Sequence, residues 1–218
     1  MPCLLPRLHH HVGRIIGIII LVLVVLAGIE GFALYRSIKT VQTRVQTISG
    51  QVSSLETSLK SGDAETLRTA TEDITSETDA INVEVHSPAW VIASYVPVYG
   101  EDIKSIQTLG DVAVDLTENA LTPFSHAAEG VQLSSLFADS KVDVDALETL
   151  ADSVSDVASV VHESSDTLNS LPEAHISKVS EEIDKVKSPL SEASDLLSEV
   201  EVILPYLPQM LGSDGQTR

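Results

Sequence analysis

From residue 15 to residue 35 the chain is apolar for 21 residues, with Glu30 as the only charged side chain. In helical form, at about 1.5 Å per residue, that run covers roughly 31 Å, close to the ~30 Å hydrocarbon core of a bilayer. The run therefore predicts a transmembrane helix over 15–35, with residues 1–14 as a short cytoplasmic N-terminus. Arg7 and Arg14 precede the run, and Tyr35 and Arg36 close it in the manner of an interfacial belt. The basic start also fits a cleaved signal peptide, with Val25-Leu26-Ala27 as a small-residue cleavage site. The apolar residues Phe32, Ala33 and Leu34 continue past that site and favour a retained anchor. Glu30 stands near the Arg36 end, so snorkelling toward the interface meets the cost of a charge in the membrane. The spacings Gly13 to Gly17 and Ala27 to Gly31 allow two anchors to pack together as a homodimer.

Orientation does not follow from a count of positive charges, because Arg36, Lys39 and Arg44 on the far side match Arg7 and Arg14 on the near side. Long domains translocate largely regardless of charge. A long, acidic, cysteine-free domain after an N-terminal span is expected to be extracytoplasmic, so the protein is expected in the cell membrane as a single-pass chain.

The formal net charge is −19. The first 35 residues hold Arg7, Arg14 and Glu30 alone among the charges, so the acidic excess lies wholly in the remainder. Such a domain repels nucleic acid, which is excluded as a partner. Hydrophobic residues nonetheless make up 43% of the chain, set at regular intervals, which predicts folding and a solvated acidic face instead of disorder. Cys3 is the only cysteine, so disulfides, thiolate metal sites and cysteine nucleophiles are excluded beyond the anchor.

The periodicity is that of an all-α chain. Ile38, Val41, Val45, Ile48, Val52, Leu55 and Leu59 alternate spacings of three and four, a coiled-coil seam over three heptads. No breaker separates Tyr35 from Ile38, so the anchor is expected to run on into this helix as one rod. At Ser61-Gly62-Asp63, Gly62 suits a left-handed helix end and Asp63 suits the N-cap of a second helix over 64–85. So short a turn forces an antiparallel return, giving a membrane-proximal hairpin over 36–86. The same seam also fits pairing between two chains, as a parallel coiled coil growing out of paired anchors.

Ser87-Pro88 then provides a helix start and 97–100 a stop, an aromatic, Pro- and Gly-containing connector over 87–100. A further helix is expected from about Glu101 to Pro123. Two long helices follow. One carries Leu147, Leu150, Val154, Val157, Val161, Leu168 and Leu171, with Ser164 or Ser165 in the vacant seam position. The other runs from Ile176 to Leu204, with Pro189 expected to kink it. The expected fold is an N-terminal transmembrane helix followed by antiparallel helical hairpins, an elongated bundle of about four long helices, with 101–211 as the bundle remainder and 212–218 as a flexible tail.

The connector is the one region that breaks the pattern, because residues 88–99 carry no charge and hold the only Trp and two of the four Tyr. A first helix rising about 39 Å and a second descending about 35 Å return the chain to the height of the anchor. Trp90, Tyr95 and Tyr99 are therefore candidates for a second contact at the membrane interface; the other reading has them closing the end of the bundle as core.

Signals for chemistry are lacking. His86, His126, His162 and His175 stand singly, His9, His10 and His11 form a polar flank to the anchor, and no zinc spacing occurs. Asp139, Asp143, Asp145 and Glu148 lack the glycine and the spacing of a calcium loop. With no phosphate loop or nucleophile elbow either, the reading is no cofactor, no metal and no enzyme.

Short motifs carry a resemblance. Leu59-Lys60-Ser61-Gly62-Asp63, Pro88-Ala89-Trp90, Val96-Pro97-Val98-Tyr99-Gly100, and Leu204-Pro205 with 211–215 together resemble the domain-of-unknown-function family 4012 of Gram-positive, actinobacterial-type envelope proteins. The resemblance implies a single N-terminal span and an extracytoplasmic part, with no established activity, and it matches only the N-terminal part of such proteins. The expected role is structural or interactive at the cell envelope, with cell-envelope proteins or a further C-terminal domain as partners. The alternative is a ligand-sensing helical ectodomain working with a partner chain.

Overall fold

The computed structural model describes the backbone of residues 8–61, 63–131 and 144–203, and the side chains of 33–58, 61, 63–128 and 151–202. Every element in these stretches is helical. Helix α1, Leu8–Ser61, is unbroken over 54 residues, about 81 Å at 1.5 Å per residue. The apolar N-terminal run and the first bundle helix are thus one rod. Among the described residues no helix is long and apolar enough to cross a membrane; of the run 15–35, only the side chains of 33–35 belong to that set.

The reversal after α1 has a visible cause. The Asp63 N–H donates to the Ser58 carbonyl at 3.1 Å, the six-to-one bond of a Schellman-type helix end. Asp63 is extended, and its carboxylate accepts from the Thr66 N–H at 3.1 Å and the Thr66 hydroxyl at 2.7 Å. These bonds hold the Asp63 carboxyl below its usual range. Helix α2, Ala64–Val85, starts there. It returns against α1, as the pairs Gln51–Asp73 at 3.0 Å and Arg44–Glu77 at 2.6 Å require, the partner advancing along α2 as the position on α1 moves back toward its start.

Pro88 occupies the first turn of a short helix α3, Pro88–Ala93, although the Ser87 hydroxyl makes no capping bond. From α4, Gly100–Asp115, the chain climbs again beside α2. Here the structure departs from the expected helix end at Pro123. A π turn, Leu116–Leu121, leads without a break into α5, Thr122–Val131. Proline lacks the N–H that an α-helix needs at that point, and the wider turn absorbs the defect. The Thr122 hydroxyl donates five residues back, to the Thr117 carbonyl, at 2.8 Å. Residues 100–131 are therefore one climbing rod.

Helices α6, Val144–Asn169, and α7, Ser177–Ile203, form a second antiparallel pair. Their matched partners are His162 with Ser198 at 2.6 Å and Ser165 with Ser191 at 3.3 Å. Pro189 lies inside α7 without ending it. The rods lie in the order α1, α2, α4–α5, α6 and α7, each against the next. Among the described residues there are five long rods in place of the expected four, because the third runs on through Pro123 and becomes long itself.

The seams are thin, as their Ala and Ser content predicts. Buried positions include Ala70, Ala120, Ala128 and Ala158 together with Ser58, Ser125, Ser164 and Ser165. Both Ser164 and Ser165 fill the vacant seam position of α6. The outer helix α1 uses half of its seam: Ile38, Val45 and Val52 are exposed, while Val41, Ile48 and Leu55 are half-buried.

Candidate functional site at the Tyr35 end of the bundle

The end from which the N-terminal run departs, here called the proximal end, gathers Ser37, α3, the start of α4 and the turn between α6 and α7. Trp90 is turned inward and only 3% exposed, and its indole N–H donates to the Ser37 hydroxyl at 2.6 Å. Ser37 is itself buried, two residues beyond Tyr35. Burying an indole requires a partner for its N–H, and a hydroxyl on α1 supplies it. This bond links residues 53 apart in sequence and ties α3 to the level where the apolar run ends.

With Trp90 inward, one helical turn puts its neighbours outward. Val91, Ile92, Val96, Val98 and Tyr99 are exposed, Tyr95 is 81% exposed, and Tyr35 on α1 is also exposed. Of the three aromatic candidates, Tyr95 and Tyr99 thus present their rings outside, whereas Trp90 is a fastener within the chain.

The turn that carries these side chains is tight. Gly100 donates to the Val96 carbonyl at 2.8 Å, and a Cβ at Gly100 would fall on the Ser94 carbonyl. Only glycine fits. Val98 has φ 74°, a left-handed conformation that is rare and strained for a β-branched residue.

Asp102, in the first turn of α4, is 1% exposed. It accepts from the His175 N–H at 2.9 Å and the Ile176 N–H at 2.6 Å, just before α7 begins. His175 Nδ1 is a further 3.5 Å neighbour. Burial pushes the carboxyl up, but the two backbone donors and His175 outweigh it and hold it below its usual range. A carboxylate on one helix thus satisfies free N–H groups at the start of another. Nothing in the sequence marked Asp102, because its partners lie more than 70 residues away.

One further bond and one close approach join α4 to α2 at this end. The Gln107 amide donates to the Val85 carbonyl at 2.9 Å. Gly110 sits so near α2 that a Cβ there would stand 2.7 Å from Asn82 Oδ1 and 3.0 Å from Val85 Cγ2.

Higher on the bundle an open cleft of about 700 Å³ lies between α2 and α5, with Arg44, Arg68, Glu72, Thr75 and His126 along it. The hydroxyls of Thr71 and Ser125, also in its wall, are buried and have no hydrogen-bond partner among the described residues. Ser125 and His126 are consecutive on a helix and diverge by about 100°, so they do not form a nucleophile and base pair. Arg44 is paired with Glu77 and Arg68 with Glu72, both at 2.6 Å. Among the described residues no group of three His, Cys, Asp or Glu side chains could hold a metal ion. His9 to His11 and the Asp139, Asp143, Asp145 and Glu148 group lie outside the described side chains.

No protein-family model, curated protein or solved structure matches the chain.

Proposed function

We propose that the protein is a membrane-anchored, extracytoplasmic helical module with a structural or interaction role at the cell envelope. The observation that carries this reading is the continuity of α1, which joins the apolar run 15–35 to the bundle without a hinge. A span so joined sets the height and tilt of everything packed on α1. The climb of α7 away from the Asp102 lock leaves residue 203 at the far end, an arrangement suited to a spacer that presents a partner or a further domain away from the bilayer. The motifs resembling the family 4012 envelope proteins support the same location.

The test is extraction and proteolysis of cells carrying the full chain. It is expected to stay with membranes in alkaline carbonate and to be digested by protease added outside cells stripped of their wall. Replacing Ile19 and Leu23 with Asp is expected to release it. Extraction of the unaltered chain by carbonate would overturn the anchor, and protection from external protease would overturn the orientation.

A second reading, a ligand-sensing ectodomain working with a partner chain, draws on the α2–α5 cleft and its two unpartnered hydroxyls. It requires that a small polar ligand protect the cleft residues from hydrogen exchange.

A further inference from the structure

We propose that the exposed apolar side of α3 and the following turn, formed by Val91, Ile92, Tyr95, Val96, Val98 and Tyr99, rests on the lipid–water interface as a second membrane contact. The proposal builds on the anchor reading and adds to it a surface, a partner and a fixed geometry.

Height is the first argument. Ser37 follows Tyr35 by two residues, a rise of about 3 Å along α1, and the buried bond from Trp90 holds α3 at that level. A span over 15–35 puts this level at the edge of the hydrocarbon core. The outward side of α3 then meets headgroups instead of bulk water.

Charge is the second. Residues 88–99 carry none in a chain of net charge −19, so the repulsion from anionic lipid that the rest of the domain exerts is absent here. Arg36 and Lys39 are exposed on α1 at the same height, on either side of Ser37 in sequence, and attract headgroup phosphates. Glu101 and Glu173 sit on the α4 and α6–α7 side of the same end, so the contact tilts the α1–α3 edge toward the bilayer and lifts the acidic edge away.

Side-chain chemistry is the third. Six exposed apolar or aromatic residues within nine positions are a poor fit to water. Tyrosines and branched aliphatics together suit an interface that is wet on one side and oily on the other. Val98, at φ 74°, places its isopropyl group on the exposed side of the turn.

The experiment uses the full chain with Cys3→Ser, carrying one fluorescent label at Leu23→Cys, Glu65→Cys or Tyr95→Cys. Each is reconstituted in phosphatidylcholine–phosphatidylglycerol vesicles with or without nitroxide-headgroup and nitroxide-acyl lipids. The label at 95 is expected to be quenched at least threefold more by headgroup nitroxide than the label at 65, and the label at 23 to be quenched by acyl nitroxide. Ile92→Asp with Val96→Asp, both exposed positions, is expected to bring quenching at 95 down to the level at 65 and to leave 23 unchanged.

Quenching at 23 with 95 no different from 65 overturns the second contact and leaves the anchor standing. No quenching at 23 overturns the anchor and the contact together. Shielding of 95 from aqueous iodide without lipid quenching assigns the patch to a protein partner or a second copy, and also overturns the proposal.

Discussion

The proximal and distal halves of the bundle are fastened by different means. At the proximal end the largest fully buried side chains include Leu168, Val85 and Asp102, and the cross-links between helices are the Trp90–Ser37, Asp102–Ile176 and Gln107–Val85 bonds, all wholly or partly out of water. Toward the distal end Leu67 is buried among small positions such as Ser58, Ala70, Ser125 and Ala128, and above the proximal locks α1 meets α2 through the half-exposed Arg44–Glu77 pair and, midway up, the exposed Gln51–Asp73 pair. Exposed pairs contribute little, typically under about 1 kcal/mol. The lesson is that helices of similar periodicity make a firm platform where the N-terminal run joins the bundle, and a looser stalk beyond it.

Trp90→Ala strikes the platform hardest. It removes a buried aromatic and leaves Ser37 without its donor, at a cost of about 3–5 kcal/mol, measurable as a lower denaturation midpoint in detergent-solubilised full chain. Trp90→Phe keeps most of the ring and is expected to cost only about 1–2 kcal/mol, the penalty of the unpaired hydroxyl.

Asp102→Asn comes next, at about 2–3 kcal/mol, because one amide oxygen cannot replace two charged acceptors facing two N–H groups. Its pH dependence has a definite sign. The folded carboxyl lies below its ordinary value, so its contribution is fully present above about pH 4, the unfolded value, and is lost as pH falls through the folded one. The stability gap between the unaltered chain and Asp102→Asn is therefore expected to be constant at neutral pH and to narrow in acid. A gap that widened in acid would break the lock described at Asp102.

The glycines sharpen the comparison with a smaller, opposite pair of effects. At Gly50 nothing lies within 4 Å of an added Cβ, so Gly50→Ala is expected to stabilise by up to about 1 kcal/mol through helix propensity. At Gly110 the same change meets Asn82 and Val85, and the strain of close packing offsets the propensity gain, leaving a net loss of about 1 kcal/mol. Thermal midpoints of the two variants decide this directly.

Much of the local architecture was legible. The alternating three and four spacings give the long helices, Asp63 caps α2 as its position after Gly62 predicts, Pro88 starts α3, and the serines of α6 sit in the seam. These features depend on neighbours within a turn or two, which a sequence displays. What escaped depends on residues brought together from afar. Ser37 gives no sign that it receives an indole, and Asp102 looks like any first-turn acid. Pro123 reads as a stop because its missing N–H is local information, whereas the π turn that rescues it needs the packing of α5 against α2 and α6. The candidate site was legible as a composition, uncharged and aromatic, but not as an arrangement: no spacing tells that Trp90 faces in while Tyr95 and Tyr99 face out.

Hydrogen exchange on the full chain in lipid nanodiscs, read by mass spectrometry, measures the difference between the two halves most directly. Amides of 103–112 and 179–186, above the proximal locks, are predicted to exchange slowest within the bundle, and those of 52–58 and 66–72 beside the distal turn at least tenfold faster. Equal protection at both ends, or slower exchange beside the distal turn, would contradict the account of a firm platform carrying a looser stalk.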